Sequence, residues 1–226
     1  MRKIQLPSWA EDILREPDRR ARFLLNFSLG FNLIYAIFKL IMGGWYHSWW
    51  MIGLGVYYGL LAVMRFFLFR RLRKNDAPDN PAAWRAYRLT GALLLPLTIV
   101  IAGIIAQVFL HDTTYDYPGF LVYAFALYAF VKIISVTISL IKKRREENRI
   151  LAAARVVSFA CALMSILALQ VALLNRFGAA DDPTHFASFA NGIAGLVIVL
   201  LIVGISSYMI IRSTKALQEG GVSHAP

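Results

Sequence analysis

A lysine in the middle of an apolar run is the first residue of this chain that raises a chemical question. Lys132 lies roughly 12 residues into the run that starts at Phe120, and insertion scales place a mid-helix lysine at about +2.5 to 3.5 kcal/mol. Such a charge can draw an anion, a lipid headgroup or a substrate carboxylate into a helix bundle. The alternative is that its long side chain snorkels to the membrane interface. Tyr57, Gln107 and Asn32 are polar side chains within other apolar runs and join Lys132 as the candidate intramembrane site. Tyr57 and Tyr58 are adjacent, and the expectation is that at most one of them points into the bundle. Lys39, Arg65 and Arg155 stand nearer the ends of their runs and are read as snorkelling cations. Asn26, Gln170 and Asn191 are expected to hydrogen-bond between helices, for about 1 kcal/mol each or less.

The residues that most chemistry needs lie elsewhere. All 13 acidic residues fall in tails, loops or turns, so no carboxylate is available within the membrane to couple protons. Cys161 is the one cysteine, which excludes a disulfide framework and a Cys-based zinc site. His47, His111 and His185 occur in three turns that also hold Asp112, Asp116, Asp181 and Asp182. Imidazole and carboxylate together suit an external metal site, although their spacing follows no ligand pattern. No nucleophile–base pair and no paired carboxylates can be placed at one depth, so neither an enzymatic activity nor a cofactor is expected.

The elements that must position these groups are membrane spans. Hydrophobic residues make up 58% of the 226, charged residues only 16%, and the mean hydropathy is +0.58. Soluble domains are closer to half apolar and a quarter charged. About 20 helical residues cross a hydrocarbon core of about 30 Å, and six runs of that size appear: 23–42, 49–69, 89–110, 120–141, 150–174 and 186–211. None alternates with period two, so a barrel is excluded and the fold class is an all-α bundle of six transmembrane helices. Gly43-Gly44 makes the first turn, with Trp45, Tyr46, Trp49 and Trp50 as an aromatic belt. Pro96 predicts a kink in the third span. Gly55-x3-Gly59 and Ser188-x3-Gly192, with Gly195, are small residues at helix-packing spacing, and such faces also suit a homodimer.

Residues 1–22 carry a capping-box pattern at Ser8 and Glu11, with Trp9 and Ile13 four apart. They predict a short interfacial helix that Pro17 ends. The domain organisation is therefore a cytoplasmic N-terminal helix (1–22), a transmembrane domain (23–211) and a cytoplasmic tail (212–226). The net charge of +11 follows the same plan. Lys and Arg number six in residues 1–22, six in 70–88, five in 142–149 and two in the tail, while the opposite turns hold only Arg176. By the positive-inside rule both termini are cytoplasmic, and the charge needs no nucleic-acid partner.

Asn32, Leu33, Ala36, Lys39, Leu40, Gly43 and Ser48 form a pattern that resembles the first hairpin of the cation diffusion facilitators. Ala153, Cys161 and Ser165 in the fifth run, and YMIIRSTKAL at the end of the sixth, are also similar. The resemblance implies a six-span metal/proton antiporter with both termini in the cytoplasm and a metal site between spans 2 and 5. Two helices each supply ligands four residues apart there, which completes a tetrahedral site. At the matching positions this chain has Tyr57 and Leu61, then Val157 and Cys161, so the metal ligands are missing. The family's cytoplasmic domain is not found after span 6 either.

The expectation is thus a small transporter- or channel-like bundle, similar to cation efflux proteins but without zinc/proton exchange. The second reading is a non-transporting accessory or scaffold protein whose basic cytoplasmic loops bind anionic lipid headgroups or a partner. The setting for either is a bacterial plasma membrane.

Overall fold

The computed structural model describes residues 17–74, 80–110, 123, 126–134, 136, 148–177 and 186–222. Apart from the turn at 46–48 and the two residues before later helices, the described chain is helical. We label the helices α1 (Pro17–Trp45), α2 (Trp49–Lys74), α3 (Pro81–Leu110), α4 (helical residues 126–134), α5 (Arg149–Phe177) and α6 (Phe186–Val222).

Local chemistry sets the helix starts. The Asn80 side chain accepts from the Ala82 amide at 3.1 Å, and Pro81 takes the first helical position, where its missing N–H costs nothing. Asn148 caps α5 in the same way through the Ile150 amide, at 3.0 Å. Ser48 opens α2: its carbonyl accepts from Ile52 at 3.1 Å and its hydroxyl from Met51 at 3.4 Å. The α1–α2 turn closes tightly because Gly43 lies against Ile52; a Cβ there would come within 2.8 Å of the Ile52 nitrogen. His47 holds the left-handed conformation that the turn needs, with φ of 51°.

Trp49–Leu72, Pro81–Ala106, Arg149–Leu174 and Phe186–Glu219 are each long and apolar enough to cross a membrane, and α1 adds a shorter apolar stretch, Leu29–Trp45. The distribution of side chains agrees with a polytopic membrane protein. On α1, Ile34, Ile37 and Ile41 face outward, while Asn32 and Lys39 are buried. Polar inside and apolar outside is the order that lipid imposes.

The helices fall into two groups. α1 and α2 form an antiparallel hairpin, with Leu40 against Gly55. α4 and α5 complete its interior, since Tyr128 reaches Asn32 and Tyr57 reaches the Ala160 carbonyl. α3 and α6 form the other group, an extensive antiparallel pair in which Gly91 meets Met209 and Gly195 meets Ile105. α2 and α5 each pack on α3, and α5 packs on α6, which joins the groups. At one end Arg149 stacks on Trp84, 4.4 Å from the ring centroid, and ties the start of α5 to that of α3.

Several boundaries differ from expectation. Pro17 stands at the first described position of α1, a place that suits proline. α3 begins at Pro81, ahead of the expected start at Leu89. α6 runs on to Val222, so most of the expected polar tail is helix. Trp45 and Trp49 are exposed as a belt requires, but Trp50 is buried. The interfacial helix at Trp9 and Ile13 lies outside the described residues.

Candidate functional site: a cationic, tyrosine-lined interior

Helical spacing brings the polar side chains to one place. On α1, Asn32, Tyr35, Ala36, Lys39 and Gly43 recur at three- and four-residue intervals and are buried, which makes a single inward stripe. On α2 the buried stripe includes Tyr57, Tyr58, Leu61 and Arg65; on α4 it holds Tyr128, Ala129 and Lys132. On α5 it includes Val157, Ala160, Cys161 and Ser165.

Asn32 is the hub. Its carboxamide oxygen accepts from the Lys132 ammonium, from the Tyr128 hydroxyl at 3.0 Å and from the Cys161 thiol at 3.4 Å. Tyr128 also lies 3.5 Å from the Cys161 sulfur. An amide oxygen has two lone pairs, so the weak thiol donor is the one most readily turned to Tyr128 instead. The Asn32 amide nitrogen is buried, with no hydrogen-bond partner among the described residues.

Aromatic rings wall this hub. Tyr35 and Tyr128 stack with centroids 3.5 Å apart and planes 5° from parallel. Tyr58 meets both edge-on, at 5.0 Å and 5.6 Å. Lys132 stands 5.3 Å from the Tyr128 centroid and 5.8 Å from that of Phe31, so ring quadrupoles meet part of its charge. Lys39 stands 5.5 Å from the outer face of the stack, at Tyr35. Tyr58 donates to Ser165 at 3.0 Å, because the single Ser165 hydroxyl proton is already given to the Cys161 carbonyl at 2.7 Å. Arg65 donates to Ser158 at 3.0 Å, and Ser158 passes its own proton to Ala154.

The three cations are arranged by depth. Asn32 and Tyr58 both touch Tyr128 and so mark one level. Lys39 lies seven residues from Asn32 toward the α1–α2 turn, and Arg65 seven residues from Tyr58 away from it. At 1.5 Å per residue each is about 10 Å from the hub, on opposite sides. Lys39, Lys132 and Arg65 therefore span about 20 Å of a hydrocarbon core about 30 Å thick. None is more than 4% exposed.

Two of the four candidate site residues meet directly, Lys132 and Asn32. Tyr57 is fully buried, but its hydroxyl donates to Ala160 at 3.3 Å and its ring touches Tyr58, not Lys132. The side chain of Gln107 lies outside the described residues, as do His111 and His185, while His47 is exposed in its turn. Among the described residues no three His, Cys, Asp or Glu side chains gather. The metal-site positions suggested by resemblance, Tyr57, Leu61, Val157 and Cys161, are all buried where α2 and α5 meet.

Two expectations are corrected. Lys39 and Arg65 do not snorkel; both are wholly buried, because each lies on the inward stripe of its helix. Tyr57 and Tyr58 both face inward, since neighbours on a helix are about 100° apart and α2 is covered over a wider arc than that. Gly55 packs against Leu40, and among the described residues nothing lies within 4 Å of a Cβ at Gly59. On α6, Gly195 makes a close approach, to Ile105. Tyr35, Tyr128 and Cys161 complete the site, and the repeat of Asn, Tyr and Lys at positions 32, 35 and 39 was the sequence signal for it.

No protein-family model and no curated protein matches this chain.

Proposed function

We propose that the chain is a small transporter- or channel-like membrane bundle whose working element is the interior of α1, α2, α4 and α5. One observation carries this reading: three cations from three helices are buried at three depths where the sequence supplies no membrane carboxylate. Each costs about 2.5 to 3.5 kcal/mol at mid-membrane, a burden that a scaffold acting through its loops has no need to carry. Both termini face the cytoplasm, on the lysine and arginine count of the loops. The resemblance to cation diffusion facilitators implies contact between the second and fifth helices, and α2 packs on α5. With Tyr57, Leu61, Val157 and Cys161 at the ligand positions, zinc/proton exchange is not the activity.

The test is reconstitution. Purified protein in planar bilayers should carry ion current above that of empty bilayers, and Lys132→Leu should abolish it. The protein should hold no stoichiometric zinc by elemental analysis, and proteoliposomes should show no zinc-driven proton movement. Absence of current with inorganic ions and small carboxylates alike would return the chain to the accessory or scaffold reading. That reading draws on tight packing where α2, α3, α5 and α6 meet: the cleft lined by Trp50, Ile105, Leu167, Val171 and Asn191 is too tight for a water molecule. Orientation is tested separately. Cysteines introduced at Asp116 or Ala180 should label from outside, and those at Asn75 or Asn148 only after permeabilisation.

A further inference from the structure

We propose that the hub formed by Asn32, Tyr128 and Lys132 binds a small monovalent inorganic anion, of the class of chloride, bromide and nitrate. The proposal rests on the transporter-like reading above and names its cargo.

The reasoning is a balance of donors and acceptors. Lys132, Tyr128 and Cys161 are all directed at one acceptor, the Asn32 carboxamide oxygen. Two of them fill its lone pairs. Lys132 keeps further N–H donors, and the buried Asn32 amide nitrogen has no acceptor among the described residues. The hub thus presents surplus donors and one net positive charge. A buried charge is tolerated when it is paired, and the one carboxylate in these helices, Asp18 at the start of α1, is about 20 Å along the helix from Asn32. An anion supplies both what the charge needs and what the amide N–H needs.

Size and charge follow from the surroundings. Tyr35, Tyr58, Tyr128 and Phe31 crowd the hub, which favours a compact ligand over a bulky carboxylate or phosphate ester. One ammonium at the hub matches one negative charge. The depth argues against a lipid headgroup, because the hub lies about 10 Å from both Lys39 and Arg65, toward mid-membrane. Those two cations extend the positive potential along the interior on either side, as an anion path requires.

The test uses purified protein in lipid-free detergent, with sodium chloride, bromide or nitrate compared against sodium gluconate at equal ionic strength. A ligand that binds only the folded state raises its unfolding midpoint, here by about 2–4 °C for wild type at saturating anion. Lys132→Met removes the charge, and Asn32→Asp supplies a built-in counter-charge; both should reduce the shift to about 1 °C or less. Chloride NMR line broadening should disappear in the same two variants. An equal shift in all three proteins, or no difference from gluconate in wild type, would overturn the proposal. If Asn32→Asp does not fold, Lys132→Met decides alone. The two readings separate cleanly: anion-dependent stabilisation lost in the variants without any current leaves the site standing and removes transport. Current in wild type that is lost in Lys132→Met, with no anion effect on wild-type stability, does the reverse.

Discussion

The interior of α1, α2, α4 and α5 and the seam between α3 and α6 are both buried in the same chain, yet they are built on opposite principles. In the first, directional contacts predominate: amide, hydroxyl, thiol and ammonium groups converge on Asn32, and four tyrosine rings pack around them. In the second, the backbones come close at glycines. A Cβ on Gly91 would meet the Met209 Cβ and the Ser206 carbonyl, each at 3.0 Å. Lipid supplies no hydrophobic drive for two helices to associate, so close van der Waals contact must do it, and small residues permit that contact. A glycine seam secures association without buried charge. The polar interior carries charges that raise the cost of folding, and such costs persist where a protein needs the groups.

The largest expected effect tests the seam. Gly91→Leu forces a side chain into backbone that cannot yield and should destabilise the fold by about 3 kcal/mol. On the same helix a Cβ at Gly103 meets nothing within 4 Å among the described residues, and Gly103→Leu should stay within about 0.5 kcal/mol of wild type. Denaturant unfolding in mixed micelles measures both. Equal sensitivity at the two positions would show that the seam is not held by close approach.

Next comes the interior, with the opposite sign. Lys132→Leu, compared in gluconate, should gain about 1–2 kcal/mol in stability, because an apolar side chain of similar length avoids burying an ammonium. The same variant should lose ion current. A loss of stability would mean that Lys132 is there to hold the fold, and the contrast between the two regions would fail.

The seam and the interior were unequally legible in the sequence. Hydropathy and length located α2, α3, α5 and α6 to within several residues, since lipid selects for long apolar runs whatever they pack against. The fate of Lys39 and Arg65 was not legible from distance to a helix end, the quantity that suggests snorkelling. What decides it is direction around the helix. Lys39 falls on the Asn32–Tyr35–Ala36 stripe and Arg65 on the Tyr58–Leu61 stripe, a signal at period 3.6 that overall apolarity hides. Lys132 is conspicuous by its depth alone. Tyr128, a tyrosine in an apolar run, reads as packing until its hydroxyl is seen to reach Asn32. The close approach at Gly195 is hidden for a related reason: the side chain that fills the space, Ile105, comes from another helix.

A smaller change refines the interior. Tyr128→Phe keeps the stack on Tyr35 and deletes the hydroxyl that donates to Asn32. It should cost about 1 kcal/mol and weaken the anion-dependent shift without abolishing it, since Lys132 remains. Tyr128→Ala removes the ring as well and should cost about 3 kcal/mol or more. If the two variants were equally destabilised, the hydroxyl and not the stack would be what holds α4 to α1.

The smallest effect is expected where the two regions meet. Gln170 on α5 donates to the Ala190 carbonyl at 3.2 Å and to the Asn191 side chain at 3.3 Å, both on α6. It is a polar pin between a helix of the interior and a helix of the seam. Hydrogen bonds between membrane helices average about 0.6 kcal/mol, because the separated helices also find partners for these groups. Gln170→Leu should therefore cost about 0.5 to 1 kcal/mol, with the leucine recovering part of the loss by packing. Ion current and anion response should be unchanged, since Gln170 touches none of the hub residues. A cost above about 2 kcal/mol would exceed the largest such couplings measured in membrane bundles. It would then place polar bonding on the seam side as well, and the division between a charged interior and a glycine-packed pair would no longer describe how this chain is held together.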